Sequence, residues 1–373
     1  MKNSSVFIII LAGILSTSGL IAQDYKKEWE DGKLTWEDFK EKEGSSGQRI
    51  SELKYHLGYK SGRQKHGDTV VSRNIALGYM DKNLSWVNPE YKSEQHLRYN
   101  QVIFDIVEVH RRRLQVESDR INSNSEFQGK FHAIYHSCLN EIERFNRVAD
   151  GGNNINSLVF WEQKLSEELN SYKIIQIPDF ETKNFGYGAH IGFGAGFCTG
   201  TISKHFSPTF NFIFGFELAY KKSIFYFNGT MAGGKVRQDY ISDKNWYKKQ
   251  NANLAVIDVS YGYAFLDNRK LKLVPFAGLG ITEFSGQNKD NKEDGLRLVD
   301  YNVIFGINAD YKLRTIIQLL PNPFYRTAVK TKGETSIRAR LYVTRANFSS
   351  DLSGYSVNLT IGLCGFGNMI RVK

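Results

Sequence analysis

Two histidines one helical turn apart have the spacing best suited to holding a metal ion. His132 and His136 stand four residues apart in a stretch whose apolar spacing predicts a helix, so both imidazoles would share one face. Glu141 or His110 could supply a third ligand. The spacing is common by chance, and no glutamate follows His132 directly. An exposed helix face is therefore the favoured interpretation, and a metal site is the alternative.

Other residue patterns that would carry chemistry are missing from the sequence. There is no glycine-rich phosphate loop after a strand, no Gly-x-Ser-x-Gly elbow and no Cys-x-x-Cys pair. The sequence has three cysteines, Cys138, Cys198 and Cys364. A small and odd number of cysteines argues against a disulfide scaffold. Three consecutive arginines at 111–113 are interpreted as a solvated helix face. We expect no catalytic residue, no bound metal and no cofactor.

A second set of charged residues lies on the polar side of alternating segments late in the chain. The set comprises Glu217, Asp258, Asp310, Arg338 and Arg340. If those segments enclose a narrow interior, opposite charges there should pair to offset the cost of burial. The alternative is a selectivity or ligand site.

The segments that carry these charges alternate with period two from about Phe185 onward. One face is apolar and rich in phenylalanine, and the other is small or polar. Eight such segments can be counted, the smallest usual number for a membrane barrel. They are residues 185–197, 210–220, 224–232, 257–265, 271–284, 301–311, 337–343 and 355–363.

A soluble β-sandwich would show the same alternation, so other features must decide between the two folds. Many of the segments run ten or more residues, which is long for a sandwich and sufficient for a tilted membrane strand. Aromatic residues cluster towards strand ends, as at Tyr187, Tyr220 and Tyr311. Residues 185–373 thus resemble the small outer-membrane β-barrel proteins of Bacteroidetes-type bacteria. The resemblance implies an antiparallel eight-stranded transmembrane barrel in contact with outer-membrane lipid.

The beginning of the chain predicts export. Residues 1–22 combine Lys2, an apolar run and small residues ending at Ala22, the layout of a signal peptide. The net charge of +10 is spread among acidic residues, and export removes the protein from nucleic acid, so no nucleic-acid partner is expected. Long polar loops normally face outward and short turns inward. Both ends of the barrel should then lie on the periplasmic side, with the preceding domain in the periplasm.

Residues 24–172 read as an α+β domain, joined to the barrel by a linker at 173–184. Strands are predicted at 50–59 and 69–79, and helices at 93–122, 125–148 and 158–172. Three stretches of this domain resemble a family of secreted bacterial proteins of unknown function that are regarded as zinc-dependent proteases. They are Leu-Thr-Trp-Glu-Asp-Phe at 34–39, Leu-Ser-Trp-Val at 84–87 and Phe-Asp-Ile-Val-Glu at 104–108.

That resemblance implies a His-Glu-x-x-His motif just before residue 104, with two zinc ligands and a glutamate that activates water. Here the corresponding positions are Tyr99, Asn100 and Ile103. None of the three can perform the role of the family residue, so we expect the zinc site to be lost. The favoured prediction is a non-catalytic periplasmic domain, anchored by the barrel, that binds a protein or an envelope polymer. The alternatives are a periplasmic metal-dependent hydrolase with a non-standard site and a barrel that conducts small solutes.

Overall fold

A computed structural model describes residues 25–42, 50–173, 175–241, 245–287, 295–320 and 329–373. The predicted signal peptide lies outside these residues. The chain divides into two compact units, one made of residues 1–62 and 73–176 and the other of residues 63–72 and 177–373. The division between residues 176 and 177 falls inside the predicted linker. Residues 63–72, which the sequence placed in the first domain, group with the second unit.

The described residues of the first unit form six strands and three α-helices. The strands are β1 (Lys26–Glu28), β2 (Lys40–Glu41), β3 (Ser51–Glu52), β4 (Tyr55–His66), β5 (Thr69–Asp81) and β6 (Trp86–Val87), with the 63–72 ends of β4 and β5 belonging to the second unit. The helices are α1 (Glu94–Arg120), α2 (Asn124–Ala149) and α3 (Ile155–Ser171).

Each of the three helices begins at a side-chain cap. Ser93, Ser123 and Asn154 each accept a hydrogen bond from the backbone N–H three residues on, at 3.2 Å. These caps satisfy donors that a helix start leaves unpaired, which is why the helices begin where they do. The apolar faces of the helices, with residues such as Phe104, Phe145 and Leu158, pack into one core with Met80.

The second unit is built on eight long antiparallel strands joined in a ring. They are β7 (Phe180–Cys198), β8 (Thr209–Tyr220), β9 (Ser223–Lys235), β10 (Asn251–Tyr263), β12 (Leu271–Gln287), β13 (Gly295–Gln318), β14 (Thr331–Ser349) and β15 (Leu352–Val372), with the short helix α4 (Ile202–His205) after β7 and the two-residue β11 (Leu266–Asp267) before β12. Each long strand pairs with its sequence neighbours, and β15 pairs with β7, so the pairings return to their starting strand. This ring is the β-barrel of the chain, and it leaves no free edge among the eight strands.

Burial along the ring strands follows the alternation seen in the sequence. In β10 every second residue, from Ala252 to Gly262, is buried and those between are exposed. In the second half of β10 the buried Asp258, Ser260 and Gly262 are small or polar, whereas the exposed residues between them are apolar. The first half buries Leu254 and Val256 instead. The interior has its own apolar clusters near the two ends, such as the one around Trp246 and Phe284.

Several of the strands extend further than the alternation predicted. β7 begins at Phe180 instead of Phe185, and β13 runs on to Gln318 while β14 starts at Thr331. The extension of β13 at residues 315–318 pairs with residues 69–72 of β5, which run parallel to it. Val71, Ile317 and Ile370 form a small core there, which explains why residues 63–72 group with the barrel.

None of the helices in the described part of the chain is both long and apolar enough to cross a membrane.

Candidate functional site

The interior of the barrel holds an ion cluster centred on Arg338 of β14. Its guanidinium donates to both carboxylate oxygens of Asp310 at 2.7 and 2.8 Å, and to Glu217 at 2.6 Å. The three side chains come from β14, β13 and β8, and none is more than 3 % exposed. A bidentate contact of this kind fixes geometry as well as charge. One arginine thus ties together three strands across the interior.

A second pair lies further along the same strand. Arg340 is 1 % exposed and reaches both Asp258 oxygens at 3.4 Å, while its guanidinium stacks over the Phe276 ring at 4.0 Å. Asp258 also accepts hydrogen bonds from Asn228, at 2.8 Å, and from Ser260. The five charged residues singled out in the sequence therefore all lie inside the barrel, and they form two separate clusters.

Sequence reasoning missed the neighbours that complete these clusters. The Nδ1 atom of His190 lies 3.2 Å from Arg338, and Gly188 leaves room for Glu217. A Cβ atom at Gly188 would stand 2.9 Å from Glu217 Cγ, closer than real contacts allow. Both residues lie on the small and polar face of β7, so the alternation predicts that they point inward. It does not predict which residues of other strands they contact.

In the first unit, the positions that correspond to the zinc motif are built into the core. Asn100 is 1 % exposed and donates to the His96 carbonyl at 2.9 Å and to Ser51 Oγ at 3.3 Å. Tyr99 stacks on His96, and Ile103 is buried in the main core. This arrangement leaves Asn100 and Ile103 serving as packing residues.

Beside them lies a Ser–His contact that the sequence analysis did not identify. Ser51 Oγ is 2.6 Å from His96 Nε2, and His96 Nδ1 is 2.7 Å from the Gly151 carbonyl. Burial lowers the pKa of His96, and its ring lies between Trp36 and Tyr99. A serine bonded to an imidazole is the pairing that activates a nucleophile. Here the histidine is oriented by a backbone carbonyl instead of a carboxylate, and both ring nitrogens are occupied by contacts within the core.

The structure does not assemble the alternative metal site. His132 and His136 are exposed, whereas His110 and Glu141 are buried, with His110 Nε2 3.6 Å from Glu141. Nine residues along a helix turn the side chain about half a revolution, so Glu141 faces away from His132. Glu141 instead pairs with Lys164. The described residues contain no group of three His, Cys, Asp or Glu side chains placed to hold a metal.

The interpretation of residues 111–113 as a solvated face is wrong for two of the three arginines. Arg111 and Arg112 each donate from Nε to Glu108 at 2.6 Å, and Glu108 is 1 % exposed. Residues three and four apart on a helix are neighbours, which brings both guanidinium groups onto one carboxylate. Arg112 also donates to the Leu169 carbonyl at 2.9 Å, so these charges tie α1 to the end of α3.

An open groove of about 820 Å³ lies between the end of α2 and the start of α3. Its lining includes Phe160, which is 64 % exposed, together with Val148, Trp161, Arg144 and Arg147. The lining contains two arginines and no carboxylate. Arg147 also lies 3.9 Å from Glu143, on the same helix. A large exposed aromatic residue beside arginines is the composition found at protein interfaces.

Comparisons with known proteins identify no family for this chain. No protein-family model and no curated protein matches the chain. Solved structures that resemble it include Ail of Yersinia pestis (9 % identity, TM-score 0.26), which covers 49 % of this chain and 99 % of its own. The N-terminal β-barrel domain of Pseudomonas aeruginosa OprF (12 %, TM-score 0.25) gives the same coverages, and neisserial surface protein A (14 %, TM-score 0.28) covers 52 % of this chain and 99 % of its own.

These likenesses are too weak to assign a family or an activity. The resemblance of the N-terminal half to zinc-dependent proteases, and of the barrel to a Bacteroidetes-type group, stays a prediction. The strand pairings of the chain itself show eight long antiparallel strands paired in a ring in one unit, and α-helices in the other.

Proposed function

We propose that this chain is an outer-membrane protein whose barrel anchors a non-catalytic helical unit in the periplasm, where that unit binds a protein partner. One observation carries the membrane location. The barrel exposes large apolar side chains around its outside and buries charged ones within. Such an arrangement is stable in lipid and unstable in water.

The outward residues are numerous and well exposed. Tyr301 is 80 % exposed, Leu279 71 %, Phe210 66 % and Ile257 65 %. Soluble monomers rarely show contiguous apolar patches of more than a few hundred Å², and a patch that encircles a barrel far exceeds this. In hydrocarbon every strand N–H and C=O needs a partner, and the ring supplies one to each of its strands.

Strand number and loop length support the orientation. With eight strands, β7 begins and β15 ends on the same side of the ring. That side also carries the two-residue turn between β8 and β9, where Tyr220 pairs with Ser223. Short turns face the periplasm in barrels of this kind, which puts the unit that precedes β7 there as well.

The barrel interior favours an anchor over a conduit. Arg338, Glu217 and Asp310 bond across the lumen, and eight strands enclose only enough room for side chains. Planar-bilayer recordings on the full chain should therefore show no conductance steps. Regular unitary currents would favour the small-solute alternative.

Binding in the periplasm is proposed for the groove beside Phe160. Exposed Val159 continues the apolar surface, while Arg144 and Arg147 supply positive charge. Aromatic and arginine side chains dominate the binding energy of protein interfaces. The favoured occupant is thus an apolar segment of a protein that carries carboxylates. An envelope polymer is the alternative, and the metal-dependent hydrolase is left without an assembled site among the described residues.

The membrane location can be tested with one substitution at two depths. Ile257 lies in the middle of β10 and Tyr263 at its end, on the same outward face. Arginine costs about 2 to 4 kcal/mol at the bilayer centre and about 0 to 1 near its surface. Ile257→Arg should therefore destabilise the barrel in vesicles far more than the control Tyr263→Arg, measured by urea unfolding. Equal effects, or a wild-type chain that stays folded and monomeric in buffer without detergent, would contradict the proposal.

Partner binding needs a readout with its own control. A photo-crosslinking residue at position 160 in intact cells should yield one discrete protein adduct. Reversing both charges, with Arg144→Glu and Arg147→Glu, should remove that adduct, whereas the same crosslinker at exposed Ser166 of α3 should yield none. An adduct that persists after charge reversal, or an adduct to glycan only, would count against a protein partner.

A further inference from the structure

A cavity of about 670 Å³ opens at the end of the barrel that carries the short turns. It is lined only by residues of the second unit. They come from the starts of β7 and β12, the β8–β9 turn, the residues around β11, and parts of β13, β14 and β15. Seven of the lining side chains are lysine or arginine, and two are carboxylates. The size suits a small ligand or a lipid headgroup.

The two carboxylates are already engaged. Lys312 Nζ lies 2.6 Å from Asp267 and 2.9 Å from Glu334, and Lys332 lies 2.9 Å from Glu334. Arg269 has Asp68 at 3.6 Å. The remaining cations of the cavity are lysines without an ion pair among the described residues. The cavity therefore carries uncompensated positive charge.

Lys272 of β12 distinguishes this cavity from an ordinary cluster of surface lysines. It lines the cavity, yet it is only 5 % exposed. Its Nζ lies 4.1 Å from the centre of the Phe366 ring, and it makes no hydrogen bond or ion pair within the described part of the chain. Burying an ammonium group is costly unless an anion or several acceptors compensate it.

The ion cluster around Arg338 offers another explanation for the buried charge of Lys272. Arg338 faces two carboxylates, Glu217 and Asp310, and a nearby cation would balance the excess negative charge. Both carboxylates, however, are already held at hydrogen-bond distance by Arg338, and Lys272 does not reach them as an ion pair. Balancing the cluster also leaves the other lysines of the cavity unexplained.

We infer that the cavity binds a phosphate ester, with Lys272 at its inner end and the exposed Lys183 and Lys222 at its opening. Lysine binds phosphate as a point charge, and several lysines converging on one cavity suit a group with more than one negative charge. Asn184, Asn268 and Asn368 add amide donors to the lining. The phosphate could belong to a lipid headgroup or to a water-soluble phosphate ester. This inference goes beyond the proposed function, and it does not depend on the groove beside Phe160.

The test uses the full chain in zwitterionic detergent, with inorganic pyrophosphate as the probe and calorimetry as the readout. One saturable site is expected, and added salt should weaken it. Lys272→Met keeps the length of the side chain and removes its charge, so the affinity should fall roughly tenfold or more. The control Lys248→Met changes an exposed lysine in the β9–β10 connection at the opposite end of the barrel and should leave the affinity unchanged.

A second variant keeps the inference testable if Lys272→Met does not fold. Lys183→Gln combined with Lys222→Gln changes only exposed side chains and should also weaken pyrophosphate binding. The source of the phosphate is identified in phosphatidylcholine nanodiscs with and without phosphatidic acid. A loss of pyrophosphate affinity in the presence of phosphatidic acid assigns the site to a lipid headgroup, and an unchanged affinity assigns it to a soluble ester. No saturable binding, or affinity that Lys272→Met leaves intact, would overturn the inference, whereas neither result bears on the membrane location or the partner groove.

Discussion

Phenylalanine is buried in the core of the helical unit and exposed on the outside of the barrel. In the helical unit Phe104 and Phe145 are in the core. In the barrel the phenylalanines of β8 point outward and Arg338 and Arg340 are buried. Water therefore stabilises the apolar core of the helical unit, whereas the apolar outside of the barrel suits the lipid proposed above.

The two regions also handle buried charge in different ways. In the helical unit Glu108 is neutralised by Arg111 and Arg112 of its own helix. In the barrel Arg338 is neutralised from β8 and β13, which lie far apart in the sequence. Local pairs stabilise a single element, whereas long-range pairs hold the ring together across its interior.

The largest loss of stability is expected when Arg338 is replaced. Arg338→Met leaves Glu217 and Asp310 buried without their cation, which should cost about 5 kcal/mol of barrel stability. Urea unfolding in vesicles measures it, with outward-facing Arg345→Met as the control. Combining Arg338→Met with Glu217→Gln and Asp310→Asn should recover part of the loss. Equal stability of the wild type and Arg338→Met would contradict the claim that long-range ion pairs hold the ring together.

A phenylalanine exchanged in each region tests the inversion of apolar faces. Phe145→Ala removes a side chain with no exposed surface, which should destabilise the helical unit by about 3 to 4 kcal/mol. Phe216→Ala, at a position 63 % exposed on the barrel, should lower the stability of the barrel in vesicles by much less. Helical ellipticity on heating follows the first variant, and urea unfolding in vesicles follows the second. Similar losses in the two regions would argue against the inversion.

A smaller effect is expected where the helical unit buries a polar contact. Ser51→Ala leaves His96 Nε2 without its partner in a buried setting, so a loss of about 1 to 2 kcal/mol is expected. Ser166→Ala, at an exposed position of α3, is the matched control. Chemical denaturation of the helical unit gives both values. Rapid labelling of Ser51 by a fluorophosphonate would instead show that this serine is an activated nucleophile.

The smallest effect is expected in the pH dependence of the stability of the helical unit. Burial is the main cause that lowers the pKa of His110, and it also lowers the pKa of His96. The unfolded imidazole, with a pKa of about 6.5, then takes up a proton before the folded one. Stability is therefore fully present above about pH 6.5 and falls as the pH drops towards the folded pKa values. Thermal unfolding between pH 7.5 and 5 should show this fall, and His110→Gln should make it shallower.

Much of the barrel could be predicted from the sequence, because a period-two pattern specifies which side chains share a face. The eight segments and the inward direction of Glu217, Asp258, Asp310, Arg338 and Arg340 follow from that pattern alone. The three helices were also predicted, although the third begins at Ile155 instead of residue 158, after the cap at Asn154. The extension of β13 was not, because its pairing partner in residues 69–72 lies far earlier in the chain.

Local patterns therefore determined the elements and their apolar faces, since both depend on neighbours a few residues away. Tertiary structure alone decided which charges meet, because register across the ring selects Asp310 for Arg338 and Asp258 for Arg340. It also decided that Lys272 is buried beside Phe366 and that Ser51 meets His96. Contacts of this kind join residues that are far apart in the sequence and come close only in the folded chain. A local sequence pattern therefore cannot predict them.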